Sequence, residues 1–406
     1  MTQVKRDIAV VGGGLAGTAT AIGLAAGGID TVLVAPAPGR PDGRSTALIG
    51  PSVAFLSEIG VFEAIRAKAE PLSTMRIVDD TKRLLHAPTL CFEAAEIGLP
   101  SFGFNVLNAD LLSILQERAL ALGKLTIVEA ACRDVAVNGD RATLTLDDGS
   151  EIAATLVIGA DGRQSVVREQ SGIGLRHWSY PQSAIVLNFS HVRDHGGSST
   201  EFHTPTGPFT QVPLPGRMSS LVWVETPEAA ELIVDLKPER LEELIEEHMH
   251  SILGSVKLVG PVQRFPLSGA TATRMTADRV ALVGEAAHVF PPIGAQGLNL
   301  GLRDAAAIVA AALASRDDPG QPSALARYER ARRGDVVSRT LGVDLLNRSL
   351  LAGFLPAQAA RTFGLSALAA VPLLRRFAMR EGVSPGAGIF GMPRSVTEGI
   401  GGKDAD

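Results

Sequence analysis

The chain has 406 residues, 46% of them hydrophobic, with a formal net charge of −5. That length and apolar content suit a large buried core, either two domains or one α/β body with an insertion, and exclude bulk disorder. The acidic balance argues against a nucleic-acid partner, which needs a basic face to displace counterions from phosphate.

Asp7 to Val11 is a short apolar run ending at Gly12, followed by small-residue helix signals to Gly27. A second run, Thr31 to Ala35, stops at Pro36, so the opening predicts a βαβ unit. Two basic residues ahead of an apolar stretch imitate a secretion signal, but the glycine pattern favours a buried strand, turn and helix. No uninterrupted apolar stretch reaches the roughly 18 to 20 residues needed to cross a bilayer. Leu111, Leu112, Leu115 and Leu120 predict a helix over Asn108 to Leu122. Lys124–Val128, Ala142–Leu146 and Ile152–Ile158 read as strands. Between Ser183 and Val224, runs such as AIVLNFS and SSLVWVE alternate with turn-rich segments and predict an inserted antiparallel sheet. Pro238 opens a helix with Leu241, Leu244, Ile245, Met249 and Ile252 on one face. Glu242, Glu243, Glu246 and Glu247 form its expected solvated side.

The expected fold class is therefore α/β: a Rossmann-like dinucleotide-binding domain, an inserted antiparallel-sheet substrate domain and a helical C-terminal segment. Residues 1–75, 100–176 and 270–344 are assigned to the first, 76–99 and 177–269 to the second, and 345–393 to the third, with 394–406 a flexible tail.

Three motifs carry chemistry. Gly12-x-Gly14-x-x-Gly17 sits between strand and helix, where small residues permit a tight turn and let backbone approach a pyrophosphate. The acid expected at the end of the second strand, for an adenosine ribose, is absent: Ala35 stands there. The second element, Gly159-Ala160-Asp161-Gly162-x-x-Ser165-x-x-Arg168, closes a strand and offers a carboxylate to ribityl hydroxyls or backbone donors. In the third, Gly284-Glu285 leads through His288, Pro291, Pro292 and Ile293 to Gly294 and Gly297, ahead of an apolar helix starting near Leu298 and Asn299. Unpaired N–H groups and the helix dipole there suit an anion, and a flavin becomes one on reduction. The eight histidines, including the pairs His191/His195 and His248/His250, form no metal set, and neither do Cys91 and Cys132, so no metal is expected. With two cysteines, the reducing cytoplasm is the expected compartment.

In order and spacing, the three motifs resemble the flavin monooxygenases related to p-hydroxybenzoate hydroxylase. More of the chain, including PDGRSTALIGPSVAFLSEIGVFEAI, FGFNVLNADLLSIL, GPFTQVPLPGRMSSLVWVE and RRGDVVSRTLGVDLLNR, is similar to the ubiquinone-biosynthesis hydroxylases of polyprenylated phenols. The resemblance implies FAD held by Gly12, Gly14, Gly17, Arg44, Asp161, Gly284, Glu285, Gly294, Gly297, Leu298 and Asn299. Glu285 replaces the family's usual aspartate, and Leu107 stands where many relatives carry glutamate. The resemblance also implies reduction by NAD(P)H, or by a separate reductase, since there is no second Gly-x-Gly-x-x-Gly. Oxygen transfer from a flavin C4a-hydroperoxide to an electron-rich ring would follow. Pro292 and Gly294 belong to the implied flavin and oxygen loop, and His203, Thr210 and Gln211 are candidates for lining the pocket. A flavin-dependent polyprenyl reductase and a non-catalytic FAD-binding subunit of a biosynthetic complex are the alternatives. A halogenase is disfavoured because its W-x-W-x-I-P signature is missing.

From Leu345 to Arg380 there is no acid, yet Arg348, Arg361, Arg375, Arg376 and Arg380 interrupt a leucine-, alanine- and phenylalanine-rich pattern. Segment 345–380 is therefore expected to touch an anionic membrane, at the inner face of the cytoplasmic membrane, with packing against the body as the alternative.

Overall fold

The computed structural model describes residues 4–37, 39, 43–81, 87–291, 296–351, 363–364, 366–384 and 386–401. β1 (Val4–Val11), α1 (Leu15–Ala26) and β2 (Thr31–Ala35) form the βαβ unit. Every residue of α1 from Gly17 to Ala25 is buried. Its small side chains admit another helix closely, since a Cβ on Gly23 or Gly27 would collide with Val309 or Leu313. The chain continues through β3 (Ser45–Ile49), α2 (Gly50–Glu58), α3 (Phe62–Arg66), β4 (Glu70–Pro71), β5 (Thr74–Asp79) and β6 (Leu90–Glu93). β7 (Gly103–Leu107), α4 (Asn108–Leu120) and β8 (Leu125–Glu129) follow, then a hairpin of β9 (Cys132–Asn138) and β10 (Arg141–Leu146), and β11 (Glu151–Gly159). β11, β1, β2 and β8 lie side by side and parallel, and a distant strand, Val280–Leu282, joins parallel to β11. Ile8, Val10, Leu156 and Ile158 on one face and Ala9 and Val157 on the other are wholly buried, as a sheet covered on both faces requires.

After α5 (Val166–Gln170) the chain builds a second sheet from β12 (Leu175–His191), β13 (Ser198–His203), β14 (Pro208–Leu214) and β15 (Met218–Glu225). Helices α6 (Pro227–Val234) and α7 (Pro238–His248) precede its last long strand, β16 (Val256–Ala272). The strand order is β16-β12-β15-β14-β13-β5-β6. The pairings are antiparallel except that β13 runs parallel to β5, which returns from the first half of the chain. Alternation gives the sheet two faces. Ile185, Leu187, Phe189, Phe202, Phe209, Leu221 and Trp223 pack with Leu241, Ile245 and Met249 under α7. Ala184, Val186, Val224 and Leu267 form the core of the opposite face.

Glu242 departs from the solvated role expected of it. Its carboxylate takes Lys257 Nζ at 2.6 Å and the Leu258 amide at 3.0 Å, tying α7 to β16.

β17 (Thr276–Ala277), β18 (Val280–Leu282) and β19 (His288–Val289) lead to α8 (Gln296–Leu313) and the long α9 (Pro322–Leu351). Near the far end of α9, Asp344 accepts the Tyr180 hydroxyl at 2.9 Å, and Tyr180 in turn takes Trp178 Nε1 at 2.7 Å, joining that helix to β12. From Arg394, where a flexible tail is expected, Arg394–Gly401 is a helix docked on α2. Val396 and Ile400, four apart, are almost fully buried, which holds the segment in place. None of the described helices is long and apolar enough to cross a membrane.

Candidate active site

The three motif loops leave the C-terminal ends of three adjacent parallel strands: Gly12 after β1, Ala160 after β11 and Gly284 after β18. β1 lies between β2 and β11, so the crevice is at the point where the strand order reverses, the place where open α/β sheets take ligands. Gly12 has φ +116°, and a Cβ there would lie 2.2 Å from the Ala160 carbonyl oxygen. A Cβ on Gly17 would lie 2.0 Å from the Gly12 oxygen. Gly14, the N-cap of α1, has nothing within 4 Å of a built Cβ. Two glycines thus close the turn, and the third leaves the first turn of α1 bare to an incoming diphosphate.

In the second loop the Asp161 carboxylate accepts Ser165 Oγ at 2.5 Å and the Val167 amide at 3.1 Å, so it shapes its own turn and caps α5. Any contact with a ribityl chain would fall to its remaining lone pairs. Burial, with the Asp161 charge nearby, pushes the Cys132 thiol up to about 11 and keeps it protonated and unreactive at neutral pH. Arg168, which the motif reading left without a role, is buried; it donates to the Ala286 carbonyl and the Arg163 carbonyl, both at 3.0 Å, and so ties the second loop to the third. Glu285 reaches Arg163 at 3.3 Å with both side chains about half exposed (51% and 49%). A screened pair of this kind contributes at most about 1 kcal/mol. Glu285→Gln is accordingly expected to leave urea stability within that margin. Its FAD affinity, read by fluorescence titration, should fall about tenfold if the carboxylate also holds the cofactor.

Behind the third loop lies a buried charge network. Asp304 of α8, fully buried, accepts the Gly284 amide at 3.0 Å, His288 Nε2 at 2.6 Å and Arg332 Nε at 2.8 Å. Burial pushes its carboxyl up, but His288 and Arg332 outweigh that and hold it below the usual carboxylate range. Arg332 continues to Asp335 at 2.7 Å, which also takes Arg303 at 2.9 Å. Tyr328, its phenol raised by burial, donates to the Leu282 carbonyl at 2.6 Å. His288 therefore has a structural hydrogen-bonding role. Sequence reasoning did not single out Asp304, Arg332 or Asp335; Asp304 and Arg332 lie on one face each of apolar or basic helices, and only their being apart from solvent marks them.

α8 begins at Gln296, two residues earlier than expected, with Gly297 open on its Cβ side and Leu298 half-buried. The Asn299 side chain turns elsewhere: Oδ1 accepts the Ile49 amide at 3.1 Å and Nδ2 donates to the Ala47 carbonyl at 2.8 Å, binding α8 to β3. What α8 offers a flavin is its first-turn N–H groups and dipole, and the small residues around them leave room for a flat ring. Pro292, Ile293 and Gly294 lie outside the described residues.

Arg44 directly precedes β3, with its guanidinium 5.4 Å from the centre of the Phe265 ring of the second sheet. Its neighbours hold that segment to the second sheet: Gly43 O accepts Asn188 Nδ2 at 2.9 Å, and Ser45 Oγ meets Ser220 Oγ at 2.7 Å. The sheet face bearing Ala184, Val186 and Val224 is thus the one turned toward the motif loops. His203 and Thr210 fall on that face by alternation, with His203 Nε2 2.8 Å from Glu201 and its Nδ1 buried without a partner. Gln211 falls on the other face, with Phe209. It donates to Ser219 at 2.8 Å and lines a cavity of about 140 Å³ with Arg76, His195, Thr200 and Leu253. Strand alternation turns it away from the pocket it was expected to line. The basic segment is divided as well. Arg375 is clamped to Glu96 through two contacts of 2.6 Å and lies 4.6 Å from the Phe92 ring, while Arg376 is exposed. Arg361 and the Arg348 side chain lie outside the described residues.

A family model described as "FAD binding domain" matches residues 5–341. Among curated proteins, the chain is 36% identical over 386 residues to ubiquinone hydroxylase UbiL of Rhodospirillum rubrum, covering 92% of this chain and 89% of that one. It is 33% identical over 394 residues to 3-demethoxyubiquinol 3-hydroxylase of Escherichia coli, covering 94% and 99%. Among solved structures, p-nitrophenol 4-monooxygenase from Pseudomonas putida superposes with a TM-score of 0.77 over 93% of this chain and 97% of that one, at 20% identity, a likeness of fold.

Proposed function

The chain belongs to the FAD binding domain family of flavin-dependent monooxygenases, and from that premise we propose that it hydroxylates the aromatic ring of a polyprenylated phenol in ubiquinone biosynthesis. O₂ is the co-substrate and NAD(P)H the electron donor. The observation that carries this reading is the meeting of three glycine-bearing loops at one sheet edge, opposite the apolar face formed by Ala184, Val186, Val224 and Leu267. Bound FAD supplies the two-electron chemistry that makes one oxygen atom of O₂ electrophilic. The backbone around Gly12, Gly14 and Gly17 takes the diphosphate. First-turn N–H groups of α8, beside Leu298 and Asn299, stabilise negative charge on the ring. The apolar sheet face excludes water and seats the substrate ring. His203, oriented by Glu201 through Nε2, presents Nδ1 as an acceptor for the phenolic proton. The enzyme works at the inner face of the cytoplasmic membrane, where a polyprenyl substrate is found, and within a biosynthetic assembly.

The test is isotopic. Purified protein with FAD, NAD(P)H and a prenylated phenol under ¹⁸O₂ is expected to give a product carrying one ¹⁸O. A polyprenyl reductase would saturate the chain without incorporating the label, and a non-catalytic subunit would hold FAD and oxidise no NAD(P)H.

A further inference from the structure

Resting on the membrane-surface part of that reading, we propose that the docking face is the outer side of the helix Pro372–Val383, and that it engages an anionic lipid bilayer. Arg375, Met379 and Val383 recur every four residues and turn inward, Arg375 to Glu96 and the other two nearly fully buried. The opposite face is therefore turned out, and it is not polar. Leu373, Arg376, Phe377 and Arg380 follow one another at i, i+3, i+4 and i+7 along the flank beside the inward residues, with Arg376 exposed and Arg380 half-buried. Leu373 is 81% exposed, Phe377 41%, and the adjoining Val371 and Leu374 44% and 43%. Phe363, nine residues ahead of the helix, is 77% exposed. Single exposed apolar residues are ordinary, but several contiguous ones mark a contact surface.

Charge selects the occupant. Neither Arg376 nor Arg380 has a carboxylate within salt-bridge distance among the described residues. Glu96, whose charge also reaches Arg376, is bound to Arg375, and Glu381 accepts the amides of Gly386 at 3.0 Å and Gly388 at 2.8 Å. The face is thus apolar and purely cationic on a body whose net charge is −5. A second copy docked through the same face would set arginine against arginine. An anionic bilayer accepts both features, with leucine and phenylalanine entering the acyl boundary while the arginines extend to the headgroups.

The probe is the FAD-loaded full chain mixed with phosphatidylglycerol-containing vesicles, compared with pure phosphatidylcholine, in a flotation assay. Preferential binding to the anionic vesicles that weakens with salt is expected. R376Q/R380Q should lower the partition coefficient roughly thirtyfold, the loss of two headgroup charges, and L373S/F377S at least tenfold. Both variants should oxidise a water-soluble, short-chain phenol at the wild-type rate, which separates this inference from the monooxygenase reading. Equal flotation of wild type and variants, or no flotation on anionic vesicles, overturns the proposal. So does a wild-type dimer in sedimentation that the L373S/F377S change splits, since the face would then join copies of the chain.

Discussion

Gly12→Ala is expected to cost the protein about 4 kcal/mol of stability and all measurable FAD, whereas Gly14→Ala, two residues along the same turn, is expected to spare the fold and lose only the cofactor. At Gly12 the backbone has φ +116°, and a methyl group would sit 2.2 Å from the Ala160 oxygen and 2.8 Å from the Asp161 nitrogen. Both obstacles are backbone, so relief requires the ends of β1 and β11 to separate, although the Ala160 amide is bonded to the Val11 carbonyl at 2.7 Å. Backbone strain of about 1–3 kcal/mol and overpacking of similar size add there. Gly14 has extended backbone (φ −72°, ψ 177°) and open space around a built Cβ. An alanine at that N-cap costs less than about 1 kcal/mol. On the proposed reading the new methyl would stand where a diphosphate oxygen comes up to the helix, and FAD affinity should fall about a hundredfold, ~2.7 kcal/mol. Urea denaturation of the apoproteins and FAD titration separate the two. Equal apoprotein stability in both variants would refute the division of labour between these glycines.

Asp304→Ala should be the most damaging single change outside the glycine turn, at about 3–5 kcal/mol. It leaves His288 Nε2 and the Gly284 amide without their acceptor in a buried site, and reduces Arg332 to its one remaining carboxylate, Asp335. The pH dependence follows from the sign of the carboxyl's shift. Its folded value is depressed, so its contribution is fully present above the unfolded value of about 4 and is lost as pH falls through the folded one. The stability gap between wild type and variant should therefore be flat from pH 5 to 7 and narrow below about pH 4. A gap that stays constant down to pH 3 would show that the Asp304 carboxylate is not what the network depends on.

The sequence made the first βαβ unit and the three loops legible because each rests on local geometry: a tight turn, a strand end or a helix start. Long-range facts were not legible. β12 was expected from Ser183, yet it begins at Leu175, because Pro181, lacking an amide proton, sits in the register shift between Ser179 and Ser183 instead of ending the strand. The parallel pairing of β13 with β5 joins segments over a hundred residues apart and leaves no local signature. Gln211 shows a different limit. Its alternation with Thr210 was readable, but which face lay under α7 was not, and that decided where it pointed. Asn299 and Asp161 carried the expected residue types for cofactor contact, and their side chains prove also to be engaged by the β3 backbone and the α5 cap. A motif marks a place in the fold; which atoms remain available there depends on partners brought from elsewhere.

The strand order also constrains how such a protein is made. The cofactor crevice needs β1 from the beginning of the chain, β11 from the middle, and β18 and α8 from beyond residue 280. During translation the first glycine turn emerges early, but it has no Ala160 beside it until β11 is made and no Gly284 until most of the polypeptide has left the ribosome. Nascent chains must therefore wait, with the outer edge of β11 unsealed at Val157–Gly159, for the late-arriving β18, so the crevice is completed last and the half-made sheet is exposed to chaperones in the meantime.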